Sequence, residues 1–411
     1  MILICKLKIK LAGTQDANIA GSAWLDFYRS AFLDSLHLNI IISDGDKHMI
    51  IDSHLRKNQQ IQRDSINFYT WHEMAAYLTF TIPSCGKFKW NHLKRTLDLV
   101  FHTMVFYLGL EDLLNLKNIE RIKKELKVCY PLIDTILDGL NPREDWEDFC
   151  DITNCTDVFS CSERQTFEGI LNCFTESVGT VFGSLRINGK VAAATPNWWT
   201  LDSAELLQIQ LLLSNERHET GIDVPIYLPI RSPKIPFRLV QWKLTQHSDV
   251  CLLCGPTPSL TELEKEVKRF WRTTFALLKS AESCYPANIP HDILLDRNIL
   301  SYLLINTEKR RSLSSLSPHA IGDAHSHLTP VRKRDILRTF YKTIVGTMIF
   351  LPDSHDSKEV FMNFEYYSLH ALVSEMYLIL VLYPSGLHNH FLRSITRTSL
   401  KILTCEKNCK W

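Results

Sequence analysis

From Ser184 to Leu278 the apolar pattern changes period in a fixed order: two strands, a helix, three strands and a long helix. Ser184-Leu185-Arg186-Ile187 and Lys190-Val191-Ala192-Ala193 are strand-like, and Asn188-Gly189 between them is the dipeptide that best tolerates the positive φ angles of a two-residue hairpin. Asp202 and Glu205 have capping-box spacing ahead of the apolar run Leu206 to Leu213, which predicts a short helix. Val224 to Leu228, Phe237 to Leu244 and Val250 to Cys254 follow, separated by prolines and polar turns as in an antiparallel meander. A helix then starts near Ser259, with Leu260, Leu263, Val267, Phe270, Trp271 and Leu278 at helical spacing and Glu262, Lys265, Glu266 and Lys268 on the other side. Such an order makes a sheet with helices on its faces, an α/β (α+β) sandwich.

The last part of the chain repeats much of this. A strand (Ile299 to Ile305), a helix (Arg332 to Ile344), strands (Val360 to Tyr367, Met376 to Leu382) and a helix (His390 to Leu403) are expected there. The first part fits the same order: a strand near Ile2 to Leu11, a helix from Ala23 to Leu36, strands at Leu38 to Ile42, Ile66 to Trp71 and Tyr77 to Ile82, then helices Trp90 to Leu108 and Asn118 to Leu137. A chain of 411 residues exceeds the roughly 250–300 that one core sustains. We therefore expect domains over 1–140, 165–287 and 288–411, with an acidic, aperiodic linker over 141–164.

Several short patterns imitate chemistry, and each fails on spacing or context. Five residues separate Gly183 from Gly189 and Val191 follows Lys190, so the four-residue gap and the hydroxyl of a Walker loop are missing. Asp323-Ala-His325-Ser-His327 mimics the metal-binding start of an amidohydrolase, but it lies in a Ser, His, Gly and Pro-rich stretch and no (β/α)₈ alternation surrounds it. Cys251 and Cys254 have knuckle spacing, yet on a strand residues three apart point to opposite faces, so core packing is expected. Cys150, Cys155 and Cys161 are irregularly spaced and are read as exposed, reduced thiols. Arg332-Lys333-Arg334 with Arg338 is read as a solvated helix face. A net charge of +1 makes no case for nucleic acid. No apolar run reaches the roughly 18–20 residues that span a bilayer. The opening MILICKLKIKLAG has lysines at 6, 8 and 10, and so reads as a strand and not a signal peptide. The expected location is cytoplasmic.

Three stretches, GLEDLLNLKNIERIKKELKVCYPLID (109–134), SLRINGKVAAATPNWW (184–199) and VCLLCGPTPSL (250–260), are unusual enough to carry a resemblance. The chain resembles the tri-longin exchange-factor subunits for Rab GTPases, and among them the planar cell polarity effectors. That resemblance implies three longin-like domains, each a five-stranded, mostly antiparallel sheet with helices on its faces. It implies a non-catalytic subunit with no cofactor or metal, which pairs with Inturned, associates with Fritz and recruits, or promotes nucleotide exchange on, a Rab-like small GTPase. A place at the cell cortex or cilium base belongs to the same expectation, as do polarised actin hairs, cilium assembly and vesicle traffic, while peripheral membrane contact is the alternative reading of the basic run Arg332-Lys333-Arg334 with Arg338.

Two groups of residues are candidates for a partner interface. The helix 23–36 carries Trp24, Phe27, Tyr28 and Ala31 on an apolar arc wider than the roughly 100° stripe that one sheet face needs. Trp198 and Trp199 follow Pro196-Asn197 at the mouth of the hairpin, where aromatic residues often anchor partners.

Overall fold

The computed structural model describes residues 41–44, 47–50, 87–114, 119–138, 149–215, 221–319, 328–348, 358–374 and 376–405. The expected helix 23–36, the strands near residues 2–11, 66–71 and 77–82, and the His325/His327 motif lie outside them. The chain divides into two compact units, residues 1–104 with 112–143, and residues 105–111 with 144–411.

In the first unit a hairpin pairs β1 (Ile41–Asp44) with β2 (Lys47–Ile50), Ile41 opposite Ile50. The helices α1 (Lys87–Leu108), α2 (Leu110–Leu114), α3 (Ile119–Glu125) and α4 (Tyr130–Asp138) follow in the chain. The single helix expected over 118–137 is thus two, joined by a 3₁₀ turn at Leu126–Cys129. Pro131 has no N–H to continue the ladder, which explains the break.

The second unit opens with α5 (Cys150–Thr153), β3 (Thr156–Asp157) and α6 (Arg164–Val178). Next come β4 (Phe182–Ile187), β5 (Lys190–Ala194), α7 (Ser203–Asn215), β6 (Ile222–Leu228), β7 (Ser232–Lys243), β8 (Ser248–Cys254), α8 (Leu260–Trp271) and α9 (Phe275–Glu282). The sheet order is β5-β4-β8-β7-β6, antiparallel throughout.

Local chemistry sets several of these boundaries. Asn188 and Gly189 have φ of 49° and 78°, which makes the tight turn between β4 and β5. Glu205 is fully buried; one carboxylate oxygen accepts from the Asp202 N–H, and the other accepts from the N–H groups of Ile230 and Arg231 at 2.9 Å each. The capping box therefore also holds the β6–β7 turn. Ser259 caps α8 with Glu262 as its reciprocal partner. Beyond α8 the expected helix breaks at residues 272–274, where the Thr274 hydroxyl donates to the Trp271 carbonyl at 2.8 Å.

Phe167, Leu171 and Phe174 of α6 and Leu263, Val267 and Trp271 of α8 pack on Leu185, Ile187, Val250, Leu252 and Cys254 of the sheet. Helix α7 is buried on all sides from Leu206 to Leu213, which explains a run with no polar stripe.

The last third contains β9 (Ser301–Asn306), β10 (Arg311–Ser315), α10 (Pro330–Met348), β11 (Lys358–Asn363), β12 (Tyr367–Val373), β13 (Tyr377–Pro384) and α11 (Asn389–Thr404). Their sheet runs β11-β12-β13-β9-β10-β3. Setting β3 aside, this is the same strand permutation as in the preceding domain. Tyr302, Leu304, Ile379, Val381 and Tyr383 face Leu392, Ile395 and Leu403 of α11, and α10 packs against β13 and β9. With both faces covered, β13 reads as a continuous apolar run, Leu378 to Leu382. Two expectations change here. The stretch 360–367 is not one strand but the end of β11, a turn and the start of β12, and a further strand, β10, lies between the expected strand 299–305 and the expected helix 332–344.

Candidate interaction surface

The acidic segment expected as a linker is, over residues 149–163, a stitch between the two sheets. β3 runs parallel to β10, Thr156 opposite Arg311 and Asp157 opposite Ser312, while Val158 makes a parallel bridge to Val191 of β5. The N–H groups of Thr156 and Val158 donate to the Arg310 and Ser312 carbonyls at 2.9 and 2.8 Å, and that of Phe159 turns to the Val191 carbonyl at 2.9 Å. Two carboxylates of this stitch are consumed inside. Asp157 accepts from the Ser312 hydroxyl at 2.6 Å, and Asp151 accepts the Arg338 guanidinium fork.

The thiols of this segment are accordingly not exposed. Cys150, Cys155 and Cys161 are buried and in no disulfide, and burial pushes the Cys161 thiol up to about 12. The basic run of α10 also departs from a solvated face, since Lys333, Arg334 and Arg338 are all buried and only Arg332 of the four is exposed. Arg334 pairs with its neighbour Asp335 at 2.8 Å.

Of the candidate anchors Trp198 and Trp199, at least one of which is expected in the core, the first is buried and the second half-buried. Trp198 is 2% exposed. Trp199 packs on the apolar cluster of the last domain, and the Arg311 guanidinium of β10 lies 3.6 Å from its ring centroid. Burial, helped by the nearby Arg164, lowers Arg311 to about 10, which is still a full positive charge at neutral pH. Trp24, Phe27, Tyr28 and Ala31 lie outside the described residues. Cys251 and Cys254 are on β8, both buried and free, with Cys254 in the α6/α8 cluster and Cys251 outside it. Among the described residues no group of three or more His, Cys, Asp or Glu side chains could hold a metal, and no helix is long and apolar enough to cross a membrane.

The described surface also presents apolar side chains to solvent. Ile230 stands on the β6–β7 turn and Ile235 in β7, 51% and 68% exposed. Phe364 and Tyr366 stand on the β11–β12 turn with Phe391 at the head of α11, 48%, 74% and 54% exposed. Sequence reading missed the second group because it took 360–367 for a strand.

Comparison with known proteins agrees with the repeated architecture. The first, second and third longin domains of FUZ, MON1 and HPS1 match residues 47–136, 178–272 and 298–407 respectively. The chain belongs to the FUZ, MON1 and HPS1 longin family. Within this longin family it is 36% identical to the proteins named Protein fuzzy homolog of Xenopus tropicalis, Rattus norvegicus and Homo sapiens, over 65%, 64% and 62% of this chain and 63%, 60% and 59% of theirs. The chain thus spans about six-tenths of the length of the curated relatives it matches. For this FUZ, MON1 and HPS1 longin chain, the stitch at 156–159 joins the second matched domain to the third through their second-strand edges.

Proposed function

We propose that this chain is a non-catalytic longin scaffold in planar cell polarity and ciliogenesis. In this reading it pairs with Inturned, associates with Fritz, and recruits or promotes nucleotide exchange on a Rab-like small GTPase, at the cell cortex or cilium base. The observation that supports it is the series of three longin domains of one family in one chain. Exchange asks for no acid, base or metal from such a scaffold, because tighter binding of the nucleotide-poor GTPase than of the loaded one is sufficient to shift the equilibrium. In the same reading Trp24, Phe27, Tyr28 and Ala31 contact the partner longin protein. The test is release of a fluorescent GDP analogue from candidate Rab-like GTPases, with and without the purified complex with Inturned. Faster release supports exchange, GTPase binding without faster release leaves an adaptor or tether, and the absence of both binding and faster release overturns the reading. Trp24→Asp should weaken Inturned association more than it lowers thermal stability.

A further inference from the structure

The two sheets have four outer edges among the described residues, and three are closed. The β5 edge meets Val158 and Phe159, and the β10 edge is capped by β3. The β6 edge is closed in another way. Pro225 removes a donor, the register slips between Ile226 and Leu228, and Gly109 lies so near Tyr227 that a Cβ at 109 would sit 2.8 Å from its ring. Proline, irregularity and a covering segment are the devices by which natural sheets prevent stray pairing.

Among the described residues β11 has none of them. It runs six residues without proline or bulge, in unbroken register with β12 from Lys358 opposite Val373 to Asn363 opposite Ser368. Val360, Phe361 and Met362 are half-buried, unlike the fully buried strands inside the sheet. At its end the exposed Phe364, Tyr366 and Phe391 share one corner, since the Asn363 side-chain amide donates to the Asn389 side-chain Oδ1 at 3.0 Å across from strand end to helix. Alongside, Arg393 and Arg397 of α11, with side chains 43% and 52% exposed, both hold Glu359, and Lys401 is exposed one turn further on. Among the described residues of β11 and its turn, the carboxylates facing these cations are the shared Glu359 and Glu365.

We propose that β11 is a docking edge for an extended segment of a partner protein, which adds a strand to the sheet, seats apolar side chains on Phe364, Tyr366 and Phe391, and sets an acidic side chain against Arg393 and Arg397. Backbone pairing supplies affinity in such strand addition, and the aromatic corner and excess positive charge supply selection. This inference is independent of nucleotide exchange.

The probe is a phage-displayed library of random short peptides selected against the full chain. Recovered binders should alternate apolar residues and carry Asp or Glu. Synthetic copies should bind about tenfold or more weakly to Val360→Pro, which blocks the edge, and to the surface variants Tyr366→Ser, Phe391→Ser and Arg397→Gln, which keep the melting temperature of the parent. N-methylation of alternate peptide amides should abolish binding in one frame and spare it in the other. No enriched peptides, binders indifferent to the surface variants, or equal tolerance of methylation in both frames would overturn the proposal. So would binding of phosphatidylserine vesicles, lost in the same variants, with no peptide recovered.

Discussion

Arg338 of α10 forks onto Asp151 of α5, 187 residues earlier in the chain, with Nη1 2.7 Å from Oδ1 and Nη2 against Oδ2. The two side chains are 4% and 9% exposed, so the pair is desolvated on both sides. Burial alone would depress the Arg338 guanidinium, and the hydrogen bonds and charge of Asp151 outweigh it, leaving the group above its usual range. Asp151→Ala removes that compensation and strands a buried cation. We expect a loss of about 3–5 kcal/mol in urea unfolding, whereas Asp151→Leu combined with Arg338→Met should lie within about 1–2 kcal/mol of the parent. A single variant as stable as the parent would show that the fork carries no weight.

The turn between β4 and β5 gives a backbone test. A Cβ built at Gly189 meets nothing within 4 Å, so sterics with neighbours do not enter and only the φ of 78° matters. Gly189→Val should cost about 1–2 kcal/mol, because a β-branched residue resists the left-handed region, while Gly189→Asn should cost only a few tenths. Equal melting temperatures for the two variants would contradict this account.

The second domain was legible because each of its boundaries is written in adjacent residues: Asn188 with Gly189, Asp202 with Glu205, Ser259 with Glu262. What stayed hidden depends on distant partners. β10 shows no apolar alternation since its serines are satisfied from elsewhere, Ser312 by Asp157 and Ser315 by the Pro286 carbonyl, so burial gives no apolar signal in the sequence. The stitch looked like a solvated linker because Asp151 and Asp157 find their partners 187 and 155 residues away. Trp199 looked like an outward anchor because the guanidinium that covers it belongs to β10. The β11–β12 turn was masked by Phe364 and Tyr366, aromatic residues in a place where turn chemistry usually shows.

His370 of β12 predicts a pH dependence. It is fully buried, stacked at 4.2 Å on Phe361, and its Nδ1 lies 2.6 Å from the Thr396 hydroxyl, which itself donates to the Leu392 carbonyl. Thr396 therefore accepts from Nδ1–H, so the neutral ring carries its proton on Nδ1. Burial lowers the imidazole from 6.5 to about 4; Glu359 opposes the shift, and Arg393 and Arg397 reinforce it. Between those values the unfolded chain binds the proton and the folded chain does not, so stability is full above pH 6.5 and falls as pH drops toward 4, by up to about 3 kcal/mol. His370→Phe keeps the stack and should remove this slope from urea unfolding measured across the window. A slope unchanged in the variant would assign the pH dependence to other groups.

Cys251 and Cys254 have the spacing of half a zinc knuckle, and β8 separates them. Val250, Leu252 and Cys254 belong to the cluster under α6 and α8, whereas Cys251 lies outside it, beside Ser184 and Arg186 of β4. Alternation along a strand puts residues three apart on opposite faces, so the two sulfurs cannot converge on one ion. Nor are they ready as thiolates. Burial pushes Cys251 above the usual thiol range, with Arg186 opposing it, and Cys254 to about 11 despite the nearby Arg238. A metal ligand or reactive nucleophile needs the deprotonated form, which both sites disfavour. Chelators should therefore leave the melting temperature of the full chain unchanged, and iodoacetamide should label the exposed Cys173 and Cys405 well before either residue of this pair. Cys254→Ala should be tolerated better than Cys254→Asp, since the site is apolar and offers a charge no compensation. Zinc bound in stoichiometric amount and lost on Cys254→Ser would mean that β8 does not separate the two sulfurs as described.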